Sequence, residues 1–179
     1  MDPSEALASC ERALRELLTV SLRDKFGDNW LQEVFTPEDL ARLREKQEVE
    51  TKRRTKRGAA AVSASLITYA EFTQLTRLVD RHWDSLNRAL GVKKEITVLL
   101  DRIEALRNAV AHSRELLPFE QELMSAIAGE IRNRVTIHIA ARTPPVNTFP
   151  ASKSCATASA TAPRQPSRCK IRCSVCRPA

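Results

Sequence analysis

Glycine is scarce in this chain, four in 179 residues, and aromatic side chains make up only 4% of it. With Leu, Ala, Arg and Glu abundant instead, the composition leans towards helix. A glycine-rich phosphate loop is missing, so a nucleotide-loop enzyme finds no footing. No apolar run approaches the roughly 20 residues needed to cross a bilayer, and no membrane association is expected. The first residues, Met1-Asp2-Pro3-Ser4-Glu5, are acidic and helical in pattern rather than signal-like, which points to a cytoplasmic protein. Acidic residues are absent from 141–179, which holds Arg142, Lys153, Arg164, Arg168, Lys170, Arg172 and Arg177. That segment alone accounts for the net charge of +7, so net charge gives no argument for nucleic-acid binding by the rest.

What is present is a succession of helical stripes. Asp2-Pro3-Ser4-Glu5 combines a cap, a proline at the first helical position and a glutamate three residues on. Leu7, Leu14, Leu17, Leu18, Leu22 and Phe26 then recur at helical spacing until Gly27. Asp28 to Phe35 reads as a short helical turn burying Trp30 and Phe35. Thr36-Pro37-Glu38-Asp39 starts a further helix through about Glu50. Residues 51–65 read as a hinge, first basic (Lys52, Arg53, Arg54, Lys56, Arg57) and then small-residue, because charge runs usually sit in water.

Thr68 and Glu71 have the spacing of a capping box, with Ile67 and Phe72 as its staple. Phe72, Leu75, Leu78, Val79, His82, Trp83, Leu86 and Leu90 continue one inward face to Gly91, with His82 at the edge of the core. A helix from about Lys93 to Ala111 follows, striped by Ile96, Leu99, Leu100, Ile103, Leu106 and Val110. Pro118 opens a last helix carrying Phe119, Leu123, Ile127, Ile131 and Val135. His138 beyond it reads as structural or exposed. The expectation is an all-α bundle of four to five helices over residues 1–140, followed by a disordered tail over 141–179.

Four of the five cysteines lie in that tail, Cys155 and then Cys169, Cys173 and Cys176. Their spacing suits an iron–sulfur cluster or half a zinc site, but both need a fold around the thiolates. The segment has no pattern for one, so neither metal nor cofactor is expected. Cys10 reads as a reduced packing residue.

Chemistry concentrates in Leu106-Arg107-Asn108-Ala109-Val110-Ala111-His112-Ser113-Arg114. Arginine holds a phosphate through paired hydrogen bonds, and histidine moves protons near neutrality. Together they supply what metal-free RNA cleavage requires. On a straight helix, however, Arg107 and His112 stand about 140° apart. The pair needs a helix end or kink near Ala111, or a second copy of the chain.

Arg107-Asn108-Ala109-Val110-Ala111-His112 resembles the R-N-x-x-x-H motif of HEPN domains, small helical bundles that often act as metal-independent endoribonucleases. Leu14 to Leu17, Phe26 to Trp30, Tyr69 to Phe72 and Trp83 are similar to the HEPN branch also found fused to a messenger-RNA surveillance endonuclease. The resemblance covers about residues 4–138. It implies His112 as the acid–base group, Arg107 as the stabiliser of phosphate charge and Asn108 as its polar companion. It further implies RNA as substrate, a 2′,3′-cyclic phosphate product, a homodimer with two motifs facing one cleft, and a toxin–antitoxin or antiviral defence setting with a possible antitoxin or partner protein. The alternatives are a non-catalytic HEPN module that dimerises or binds RNA or nucleotides, and a small DNA-binding regulator using Lys52 to Arg57. No recognition-helix pattern accompanies that basic run.

Overall fold

The computed structural model describes residues 2–60, 65–112 and 114–142. The tail from residue 143, with Cys155, Cys169, Cys173 and Cys176, lies outside the described residues, as do residues 61–64 of the small-residue stretch. The fold is all-α. Its helices are α1 (Pro3–Phe26), α2 (Trp30–Val34), α3 (Pro37–Lys56), α4 (Phe72–Arg81), α5 (Trp83–Leu90), α6 (Lys93–Ala111) and α7 (Pro118–Arg142), with a 3-10 turn at Leu66–Tyr69. No strand occurs among the described residues.

α1 is the central element. Its first turn is closed by the Asp2 carboxylate, which accepts from the Ser4 and Glu5 N–H groups at 2.9 and 3.3 Å. Its buried positions, from Ala6 through Cys10, Leu14, Leu17 and Leu18 to Leu22, extend over more than half of the helix circumference. It therefore packs against α2, α4, α5, α6 and α7. α7 lies beside it in the same direction, since Arg132 reaches Ser9 at 3.4 Å and Arg142 pairs with Asp24 further along. Gly27 stops α1 at a φ of 76°, a value that favours glycine. Thr36 caps α3 by accepting from the Asp39 N–H at 3.2 Å, with Pro37 in the first turn. Cys10 is fully buried, and burial above all, with Glu11 beside it, pushes its thiol up to about 12. It is a packing residue in the thiol form.

Four expectations change. The bundle has seven helices among the described residues rather than four or five. The segment from Thr51 is not a hinge: α3 continues to Lys56, because Glu48 and Glu50 sit one turn before Lys52 and Arg54 and support them as i,i+4 pairs. The capping box belongs to Glu71 and Gln74, not Thr68 and Glu71, since Leu66–Tyr69 forms the 3-10 turn and α4 begins at Phe72. Finally, the expected single helix from Phe72 to Leu90 breaks at His82 (φ −108°, ψ 28°). Both halves pack on α1 and α6, and the break turns α5 so that it also lies against α7. His138 falls within α7, which runs to Arg142.

His82 is half-buried at this break, its ring edge-on to Phe26 at 5.7 Å. Burial first, then the charges of Lys25 and Arg81, hold its imidazole below the ordinary histidine range. Between the folded and unfolded values the unfolded chain binds more protons, so stability rises with pH across that window and is lost on acidification through it. The drop in urea midpoint between about pH 7 and about pH 5 should therefore be smaller in His82→Asn than in the parent chain. An equal drop would assign the effect to the carboxylates instead.

Candidate functional site

α6 is aimed by its two ends. At its start, Gly91 adopts a φ of 92° and packs beneath Arg134 of α7, whose guanidinium donates to the Leu90 carbonyl and pairs with Glu130. A Cβ at this position would come within 2.7 Å of Arg134 Nη1. Along its length Ile96, Leu100, Ile103 and Leu106 are buried. At its far end the Arg114 N–H reaches the Ala109 carbonyl at 3.0 Å, the 6→1 bond of a Schellman-type stop. Leu116 is then buried, and Glu120 accepts from the Leu117 N–H at 3.0 Å as α7 begins.

The helix does not kink before the motif ends. The His112 N–H still donates to the Asn108 carbonyl at 3.1 Å, so the i→i−4 ladder runs through the histidine. Arg107 and His112 therefore stand about 140° apart around the axis. His112 shares a face with Val98, Arg102, Ala105 and Ala109, which recur at spacings of three and four residues. That face borders a shallow apolar groove closed by Leu123 and Ile127 of α7. Arg107 lies towards the opposite edge with Glu104, whose carboxylate accepts from Thr73 of α4 at 2.9 Å.

The two groups meet different surroundings. Arg107 is half-buried and reaches the Asn108 side-chain oxygen only at 3.5 Å, a long contact. Its charge also acts on Glu71, the N-cap of α4. That carboxyl is held below the ordinary range mainly by Lys46, 2.7 Å away, against slight desolvation, with Arg107 adding to the effect. Asn108 and His112 are exposed. Helical spacing thus sets Arg107 away from His112, while Asn108, four residues before the histidine, lies on its side of α6 and also meets Arg107 at 3.5 Å.

Elsewhere, the seam between α4 and α6 holds a groove of about 500 Å³ lined by Trp83, Arg77, Asp80 and Asp101, away from the motif. Among the described residues no group of three His, Cys, Asp or Glu side chains could hold a metal ion. Two features near Arg107 escape a reading of the sequence. Glu71 becomes its neighbour only through the packing of α4 on α6, and no local pattern signals it. The basic run at the end of α3 was visible, but not its helical form.

No protein-family model, curated protein or solved structure matches the chain.

Gly91→Ala should destabilise the chain by about 1 kcal/mol or more, through the positive φ and the approach to Arg134, lowering the melting temperature. His112→Ala, at an exposed helix end, should change stability by no more than about 0.5 kcal/mol. A large drop in its melting temperature would mark His112 as a structural residue.

Proposed function

We propose that this chain is an RNA-cleaving module of HEPN type, metal-independent, whose centre is completed by a second copy. The observation that carries this reading is the exposed imidazole of His112 at the end of α6, in one short motif with a guanidinium that faces another way. α6 ends at Ala111 with His112 as its C-cap, and because the His112 N–H still bonds the Asn108 carbonyl the pair keeps its helical spacing, which favours completion by a second copy. Leu117 and Phe119, 56% and 57% exposed just beyond His112, offer apolar surface for it.

In such a centre, His112 of one copy takes the proton from a ribose 2′-hydroxyl, whose oxygen attacks the adjacent phosphorus. Arg107 of the other stabilises charge on the phosphoryl oxygens, and Asn108 adds an amide donor. The bond to the 5′-oxygen breaks, the leaving oxygen receives a proton, and a 2′,3′-cyclic phosphate remains. No step calls on a metal. A toxin–antitoxin or antiviral defence setting, with an antitoxin or partner protein, rests on analogy with the family. The second reading is a non-catalytic HEPN module that dimerises or binds RNA. The long Arg107–Asn108 contact favours it, since it engages the guanidinium without substrate.

In chelator, His112→Ala and Arg107→Ala should each lose RNA cleavage by about a hundredfold or more. Mixed together, they should recover about a quarter of parental activity, because half of the dimers are mixed and each of those holds one intact centre. No recovery would place both groups in one chain, against the geometry of α6. Cleavage equal in parent and variants would identify a contaminant, and binding without cleavage would favour the second reading.

A further inference from the structure

The end of α3 and its C-cap carry Lys52, Arg53, Arg54, Lys56 and Arg57, all exposed, with no carboxylate between them. Two of these are answered from the preceding turn. Lys52 lies 3.8 Å from Glu48 and Arg54 lies 2.8 Å from Glu50. Arg53, Lys56 and Arg57 form no ion pair among the described residues, and their spacing of three and four places them on one face. Lys46 lies on that same face two turns back, as seven residues turn the helix through about 700°. Cations at a helix C-terminus gain from the macrodipole, but that gain is confined to the last turn. Arg53 and Lys56 fall in that last turn and Arg57 is the C-cap, so the dipole favours cations there but does not set their alignment on one face with Lys46.

This face begins beside the motif. Lys46 is 2.7 Å from Glu71, the carboxylate on which Arg107 acts, and Thr73, two residues along α4, bonds Glu104 one turn before Arg107. From Lys46, Arg53 to Arg57 lie about 10 to 17 Å further along the axis. At about 3.4 Å per stacked nucleotide, that is the span of three to five phosphates. Val49, 45% exposed, is the large apolar side chain on this face, too little to insert into a lipid surface. Aromatic residues are absent from α3, so contact would be with the backbone rather than by stacking on bases.

We propose that the face of α3 from Lys46 to Arg57 binds the phosphate backbone of single-stranded RNA flanking the linkage held at Arg107. This rests on the RNA reading above and adds to it a sequence-independent track for a few nucleotides. Arginine suits the task, as its fork meets phosphate oxygens in pairs.

The test uses the full chain carrying His112→Ala, so that RNA survives the measurement. Fluorescence anisotropy follows binding of labelled single-stranded RNA of about four and about twelve nucleotides across a salt series. The tip variant adds Arg53→Gln, Lys56→Gln and Arg57→Gln. A control removes equal charge at the other end of the bundle with Lys25→Gln, Arg88→Gln and Lys94→Gln. Far-UV circular dichroism establishes that both remain folded.

The tip variant should lose about two units of log–log salt slope, three contacts at about 0.7 each, and with it the affinity gained from the longer RNA. The control should keep both. If the tip variant retains slope and length dependence while the parent binds RNA, the α3 face does not hold the strand, and the RNA reading stands without it. If polyglutamate or anionic vesicles of matched charge compete as well as RNA, the surface is a general polyanion site and the proposal falls. If the parent binds no RNA even at low salt, the RNA reading fails and takes the track with it.

Discussion

Burial of α1 over more than half its circumference is the constraint from which the remaining packing follows. A helix buried on one stripe needs one partner layer, whereas one buried over such an arc must be surrounded. α2, α4, α5, α6 and α7 all touch it, and the break at His82 is part of the arrangement, because it lets α5 lie against α7 as well as against the α1 and α6 that it shares with α4. The small side chains Ala6, Ser9 and Ala13, next to Cys10, leave room on the side where α7 comes alongside with Arg132 at Ser9. Substituting larger residues there would push the first and last helices apart and loosen the others with them.

A second constraint is local but decides the chemistry. Because the hydrogen-bond ladder of α6 runs through His112, the order of residues fixes their directions. Arg107 lies on the edge of α6 that carries Glu104 and its bond to Thr73 of α4, while His112 lies on the face bordering the groove with α7. On the proposed reading, two groups split in this way suit a shared cleft better than a private one. On that reading, activity would depend on protein concentration.

The helical class, the caps at Asp2 and Thr36, the stops at Gly27 and Gly91 and the span of α6 were all legible from local patterns. These features depend on neighbours within one or two turns. What was not legible depends on packing. The inward face from Phe72 to Leu90 gave no breaker at His82, since neither glycine nor proline marks it, and only the demands of two partner surfaces part it there. The end of α3 looked like a hinge because charge density suggests water, while Glu48 and Glu50, outside the run itself, extend the helix. In the motif, the sequence supplied the residues and the geometrical problem. The route past it was set by whether a hydrogen bond at His112 was made or broken.

The shared direction of α1 and α7 has a practical consequence. Arg142 sits by Asp24, at the end of the bundle where Lys93 meets Asp80, whereas His112 lies at the end where α7 starts. The two are separated by roughly the length of α7, about 36 Å. A fluorophore or surface tether placed next to Arg142 would thus sit a full helix length from the imidazole, leaving the opposite pole of the molecule unobstructed.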